Sequence, residues 1–309
     1  MDRLTSGIKP HPPFDLDLTA SYHAYFQSRY GADSMEDGVY HRLLDLGDKL
    51  VLVSVRSVGT TAVPELALEL RGDRLTQDDA QRATWRVAWL LGTDQDLDPF
   101  YASIETDPVM SEVVDRFYGL HLPHTGTIFE ALVVGVLGQQ IATNVARIIR
   151  TLIIETFGRR AEFDGETYYA FPRPEAIWAS SPGELRTMKL TQRKSEYVHG
   201  IAGAALDSAV GLESMAELPD TEIVKRLTAL RGVGQWTAQW ALIRAVGRPD
   251  ALPLGDLALR RVVSRLFFDG AEVTDAQVEE LAPMGFGHAD LVLAVPAFWV
   301  DVETLDDLD

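Results

Sequence analysis

Apolar and polar residues alternate in the first third of the chain and recur at helical spacing afterwards, and this change of period divides it. The run Leu50 to Arg56 (LVLVSVR) is short and apolar, and Glu65 to Leu70 (ELALEL) alternates at period two, as a half-buried strand does. The Gly59 to Pro64 stretch between them predicts a hairpin connection. Gln77 to Leu91 then reads as a helix, with Trp85, Val87, Ala88 and Leu91 supplying its apolar positions. From Thr127 to Phe157 the chain is at first apolar nearly all round, the mark of a buried helix. It continues at helical spacing through Val145, Ile148, Ile149, Leu152 and Ile153, with Gly158 placed to cap the end. Gly138-Gln139-Gln140 interrupts this run with polar side chains, and Pro172, Pro174 and Pro182 punctuate the stretch beyond it. The pattern predicts an α+β protein: a tail over residues 1–13, an α/β lobe with a small antiparallel sheet over 14–104, and a helical region over 105–309. No internal repeat and no low-complexity segment is visible.

Composition narrows the picture. Hydrophobic residues at 46% and charged residues at 24% describe an ordinary globular chain. No apolar run reaches the roughly 20 residues of a membrane helix. No apolar stretch follows the first charges of MDRLTSGIKPHPPFD, so no secretory signal is visible and the cytoplasm is the expected compartment. The absence of cysteine excludes disulfides, thiolate zinc sites and cysteine-ligated iron–sulfur clusters. Seven histidines without metal-ligand spacing predict no metal centre, and His121 and His124 are expected in a loop, exposed or partly packed.

A net charge of −18 argues against a nucleic-acid partner, but its distribution is uneven. Lys225, Arg226, Arg231, Arg244, Arg248, Arg260, Arg261 and Arg265 face only Asp250 and Asp256 in their segment, a local balance of +6. Eleven acids and no cation follow from Leu266 to Asp309. The patch is either a DNA-facing surface or a solvated helix face with counter-charges elsewhere in the fold.

Leu227 to Phe267 carries the candidate chemistry. It reads as helix, Gly-x-Gly turn, helix, loop and a third helix opened by an acid. Gly232 and Gly234 in LRGVG allow backbone conformations that side chains forbid and leave N–H groups at the next helix start, a ready anion site. A tight helix–helix turn is the plainer explanation of that motif alone. Asp256, after Pro253-Leu254-Gly255, stands at an N-cap, where Asp is expected on structural grounds. Gly234 and Asp256 stand 22 positions apart, enough for one helix and a returning loop, which brings the carboxylate back towards the turn.

Together FEALVVGVLGQQI, LRGVGQWTA and PLGDLALRRVV resemble the central helix, hairpin and catalytic-aspartate segments of the helix-hairpin-helix (HhH-GPD) DNA glycosylases, and among them the bacterial 3-methyladenine DNA glycosylase II type. The resemblance implies an N-terminal lobe with a small antiparallel sheet followed by two all-helical lobes, with the cleft between them. It implies a monofunctional enzyme that turns an alkylated purine out of double-stranded DNA and hydrolyses its N-glycosidic bond, initiating base excision repair. By the same resemblance Asp256 is the catalytic carboxylate and Trp236 a wall of the base pocket, while Trp240 is core. Lysine stands at the Trp236 position in strand-cutting relatives, so base removal alone is expected. Gln139 and Gln140 match the loop that enters the duplex, though two polar residues ending a buried helix would look the same. Arg231, Gly232, Val233, Gly234, Gln235 and Thr237 match the segment that grips the DNA backbone.

The sequence departs from the family near its end. Leu281-Ala282-Pro283-Met284-Gly285-Phe286-Gly287-His288 replaces the usual tryptophan- and arginine-containing segment, which leaves Met284 and Phe286 as the remaining pocket candidates. The resemblance implies no cofactor, with a monovalent cation at the hairpin of the DNA-bound form as the one candidate ligand. It implies a monomer and no membrane partner. The competing readings are a non-catalytic DNA-damage-binding protein and, last, an interaction module using the acidic tail.

Overall fold

The computed structural model describes residues 1–23, 29–249 and 251–281. Its first part is a six-stranded antiparallel sheet in the order β1-β6-β5-β4-β3-β2, formed by β1 (Asp2–Ile8), β2 (Arg29–Tyr30), β3 (Asp33–Glu36), β4 (Val39–Asp45), β5 (Leu50–Ser57) and β6 (Leu66–Gly72). Helix α1 (Leu16–His23) lies between the first two strands in sequence, and α2 (Gln77–Leu90) follows the last. Alternation builds β6: Leu66, Leu68 and Leu70 are buried, and they share a core with Val51, Val53 and Val55 of β5. The expected tail is in fact β1, paired along its whole length with β6 from Asp2 opposite Gly72 to Ile8 opposite Leu66.

Helix α2 meets this sheet through Ala80, Ala83, Val87 and Leu90. Trp85, expected in that stripe, is 68% exposed. It stands two residues beyond Ala83, about 200° around the helix, so its phase and not its apolarity decides its side. Thr76 and Asp79 close a capping box at the start of α2, and Lys49 Nζ donates to Asp79 Oδ2 at 2.5 Å.

The remaining elements are α3 (Asp98–Ile104), α4 (Pro108–Arg116), α5 (Ile128–Gly138), α6 (Thr143–Phe157), the ribbon β7 (Arg160–Phe163) with β8 (Glu166–Tyr169), α7 (Pro174–Trp178), α8 (Pro182–Thr187), α9 (Gln192–Leu206), α10 (Asp220–Thr228), α11 (Gln235–Ala241), α12 (Leu257–Phe267) and α13 (Asp275–Leu281). The ribbon was not foreseen. It packs Phe163 and Tyr168 against Leu43 and Leu52 on the far face of the sheet. Gly158 does end α6, with extended backbone; a side chain there would strike the carbonyl oxygens of Ala170 and Ile154 at 2.2 and 2.4 Å.

Two helical cores form. The larger surrounds α5, whose Ala131, Leu132, Val133, Val136 and Leu137 are enclosed by α9, α10 and α11. The smaller joins Phe100, Ile104 and Met110 of α3 and α4 to Leu259, Val262 and Val263 of α12 and Val278 of α13.

Acids fix the entry of α5. Thr127 Oγ1 accepts from Glu130 N, and Glu213 takes the N–H groups of Ile128 and Phe129 at 2.8 and 2.9 Å. Arg42 of β4 donates to Glu130 at 3.0 Å and to Asp33 at 2.8 Å, a buried link from the sheet to α5. His121 and His124 are both buried rather than loop surface. The ring nitrogens of His121 reach the carbonyl oxygens of Gly92 and Pro13, while His124 stacks on Trp89 at 4.2 Å.

Candidate active site

Helix α10, a turn and α11 form the hairpin. Gly232 has φ +92°, and a Cβ there would overlap the Tyr197 ring at 2.3 Å, so conformation and packing both require glycine. Gly234 differs. Its φ of −92° suits any residue, and a Cβ would meet nothing within 4 Å among the described residues. Nothing among the described residues therefore demands glycine at 234, which is exposed.

Arg231 also faces outward, its side chain 74% exposed, 3.3 Å from Glu196 and over the Tyr197 ring. Gln235 is exposed, whereas Val233 and Thr237 point inward. Thr237 is 1% exposed, and its hydroxyl accepts from Gln139. The backbone-gripping set thus divides into an outer group, Arg231, Gly234 and Gln235, and an inner group that shapes the turn.

Asp256 caps α12. Its Oδ1 accepts from Ala258 N at 2.8 Å and Leu259 N at 3.0 Å, and its Oδ2 accepts from Trp236 Nε1 at 2.8 Å. The residue is 8% exposed. Trp236 belongs to the larger helical core and α12 to the smaller, so this hydrogen bond spans the junction of the two cores. Three donors fix the carboxylate's orientation, and Oδ2 keeps a lone pair. Trp240, one turn further along α11, is buried and stacked on Trp236 with ring centroids 6.4 Å apart and planes 24° from parallel. Gly135 permits this approach of α5 to α11, because its missing Cβ would lie 3.1 Å from Thr237 Cγ2 and 3.6 Å from the Trp240 ring.

The two glutamines part company. Gln139 turns back and donates from Nε2 to the Gly232 carbonyl and to Thr237 Oγ1, each at 3.0 Å. Gln140 is exposed with φ +55°. Lys194 of α9 donates to the carbonyls of Leu137 and Gln139 at 2.8 and 2.6 Å, and burial pushes its ammonium pKa down. Sequence reasoning missed Lys194, since TQRKSEY looks like any helix start. Met284 and Phe286 lie outside the described residues.

The basic segment is largely matched by acids. Arg226 and Lys225 pair with Glu222, Arg248 with Asp220, Arg260 with Asp275 and Arg231 with Glu196, while Arg244 is buried. Among the described residues no group of His, Asp and Glu is arranged to hold a metal ion, and no helix is long and apolar enough to cross a membrane.

The family described as HhH-GPD superfamily base excision DNA repair protein matches residues 133–285. The DNA-3-methyladenine glycosylase of Bacillus subtilis is 37% identical over 166 residues, 54% of this chain and 55% of that protein. The solved 3-methyladenine DNA-glycosylase from Archaeoglobus fulgidus superposes with a TM-score of 0.82 at 26% identity, covering 95% of this chain and 97% of that one. A 68-residue stretch, 22% of this chain, is 79% identical to 29% of the ATP phosphoribosyltransferase of Cereibacter sphaeroides, and nothing in the described fold accounts for it. The chain spans about half the length of the first curated glycosylase relatives. Residues 133–285 thus match the HhH-GPD superfamily, and the Archaeoglobus superposition extends the same fold over 95% of the chain.

Proposed function

We propose that the chain is a monofunctional DNA glycosylase that hydrolyses the N-glycosidic bond of alkylated purines, of the 3-methyladenine type, in double-stranded DNA. The observation that carries this reading is the Asp256 carboxylate, held by two backbone N–H groups of α12 and the Trp236 indole beside the hairpin. The names of the relatives support the same substrate class.

The chemistry follows from that placement. A target nucleotide turned out of the duplex costs a few kcal/mol, least when the base is already damaged. As the C1′–N bond breaks, positive charge builds on the sugar, and a fixed carboxylate stabilises it without reorganising. Asp256 also orients the water whose oxygen bonds to C1′. The purine leaves with the bonding electron pair, and the water's proton passes to solvent. A purine alkylated on a ring nitrogen is cationic and departs as a neutral base, so it needs no separate acid. The same cation favours the aromatic face of Trp236. Tryptophan cannot form the imine that strand cleavage uses, so an abasic site is the product.

The DNA backbone is gripped by the outer group of the hairpin. Glycine at 234, which no packing among the described residues requires, leaves room for a phosphate against the main chain. Leu230 to Gly234 offers backbone carbonyls and no carboxylate, a donor set that suits a monovalent cation shared with a phosphate. We take the chain to act as a monomer on DNA in the cytoplasm, with no organic cofactor. Base release from methylated duplex DNA, read by chromatography, tests the reading. Release of 3-methyladenine or a related purine supports it, and no release across a panel of alkylated bases leaves only a DNA-binding protein.

A further inference from the structure

Gln140 sits in a left-handed backbone conformation that costs a non-glycine residue about 1–2 kcal/mol, so its surroundings must impose it. Two side chains, its neighbour Gln139 and the distant Lys194, fasten the backbone that leads into it. Gln139 Nε2 donates to the Gly232 carbonyl, which can only accept, and this fixes which way the amide faces. Its second bond, to Thr237 Oγ1, anchors the same amide to α11. Lys194 Nζ binds the carbonyls of Leu137 and Gln139, the penultimate residue of α5 and the first beyond it. Gln140 is exposed directly after these two fastenings.

We propose, resting on the glycosylase reading above, that Gln139 and Lys194 are positioning residues that lock the turn carrying Gln140 to the DNA-gripping hairpin. The side chain entering the duplex and the turn holding the backbone then form one rigid body. Inserting Gln140 pushes against the base stack, and a turn free to yield would absorb that push instead of expelling the target base. Lys194 therefore acts on the flipping step and not on bond cleavage, and it touches neither the base nor the sugar.

The test compares wild type with Lys194→Met and Lys194→Arg, with Gln139→Glu as a second way to break the lock. Glutamate keeps the size of Gln139 but sets an acceptor against the Gly232 carbonyl. Hydrogen exchange of the Gln139–Ile141 amides, measured without DNA, should quicken by about tenfold in Lys194→Met and Gln139→Glu, as expected for loss of a charge-assisted or doubly bonded anchor. Single-turnover release from a paired lesion should fall by about tenfold in Lys194→Met, while release from the same lesion in single strands stays within about twofold of wild type. Lys194→Arg should restore both readouts. Unchanged exchange, or an equal loss on paired and single-stranded substrate, overturns the proposal. If wild type itself releases no base, the function reading fails, and the exchange rates alone still decide whether the lock exists.

Discussion

Replacing Asp256 by Asn removes a charge and almost no volume, so it separates the electrostatic role of this side chain from its structural one. As a cap, Asn is as good as Asp, and α12 should keep its start. The cost falls at Trp236. With the amide oxygen turned to Ala258 and Leu259, the new NH2 faces the indole N–H across 2.8 Å; with the amide reversed, it faces the helix N–H groups. Either way at least one buried donor loses its acceptor, a penalty of about 1–3 kcal/mol for each. For a chain of this size that lowers the melting temperature by roughly 1–2 °C per kcal/mol. Adding Trp236→Phe removes the opposed donor, so the double variant should be more stable than the two single losses combined predict.

Catalysis should suffer far more than stability. Without the negative charge beside the sugar, single-turnover release should drop by about 10²–10³-fold or more, while DNA affinity stays within a few-fold. The assay pairs chromatography of the freed base with fluorescence anisotropy of labelled DNA and a thermal melt of the same preparations. A folded Asp256→Asn protein that releases base within about tenfold of wild type, a barrier change of roughly 1.4 kcal/mol, would show that the carboxylate is a helix cap and no more.

Arg231→Ala should weaken binding to all DNA sequences alike and lower the salt-dependence slope by about one, with a stability change below about 1 kcal/mol; an unchanged salt titration removes Arg231 from the DNA face. Arg42→Met takes away the cation shared by Asp33 and Glu130 and should cost about 3–5 kcal/mol in urea unfolding, whereas a cost under about 1 kcal/mol would mean the sheet and α5 do not depend on that link. The Asp79 carboxyl is pushed down to about 2 by hydrogen bonds from Lys49 and Thr76, against an ordinary 3.8. Its folded value is the lower one, so its contribution is whole above the ordinary value and fades as pH falls towards about 2. The stability gap between wild type and Asp79→Asn should thus be constant from neutral pH to near 4 and narrow steadily from there to about pH 2; a gap that does not narrow over that range would count against the assignment.

The sequence by itself determined what local chemistry controls. Alternation in β6, the apolar run of α5, the break at Gly138-Gln139-Gln140 and the hairpin with Asp256 behind it could all be read from neighbours in the chain, because period and turn residues act over a few positions. The family resemblance added the roles, and the Archaeoglobus superposition agrees with the fold it implied. What only the tertiary structure decided are matters of phase and of long-range pairing. Trp85 turns outward because its place on α2 faces away from the sheet, and residues 2–8 become a strand because β6 offers a free edge. His121 is buried because carbonyls from two other segments close on its ring. The bonds that shape the site join residues far apart: Arg42 to Glu130, Lys194 to the end of α5, Gln139 to the hairpin and Trp236 to Asp256. A polar side chain carries no mark of its partner until packing brings the two within about 3 Å of each other, so these bonds exist only in the folded chain.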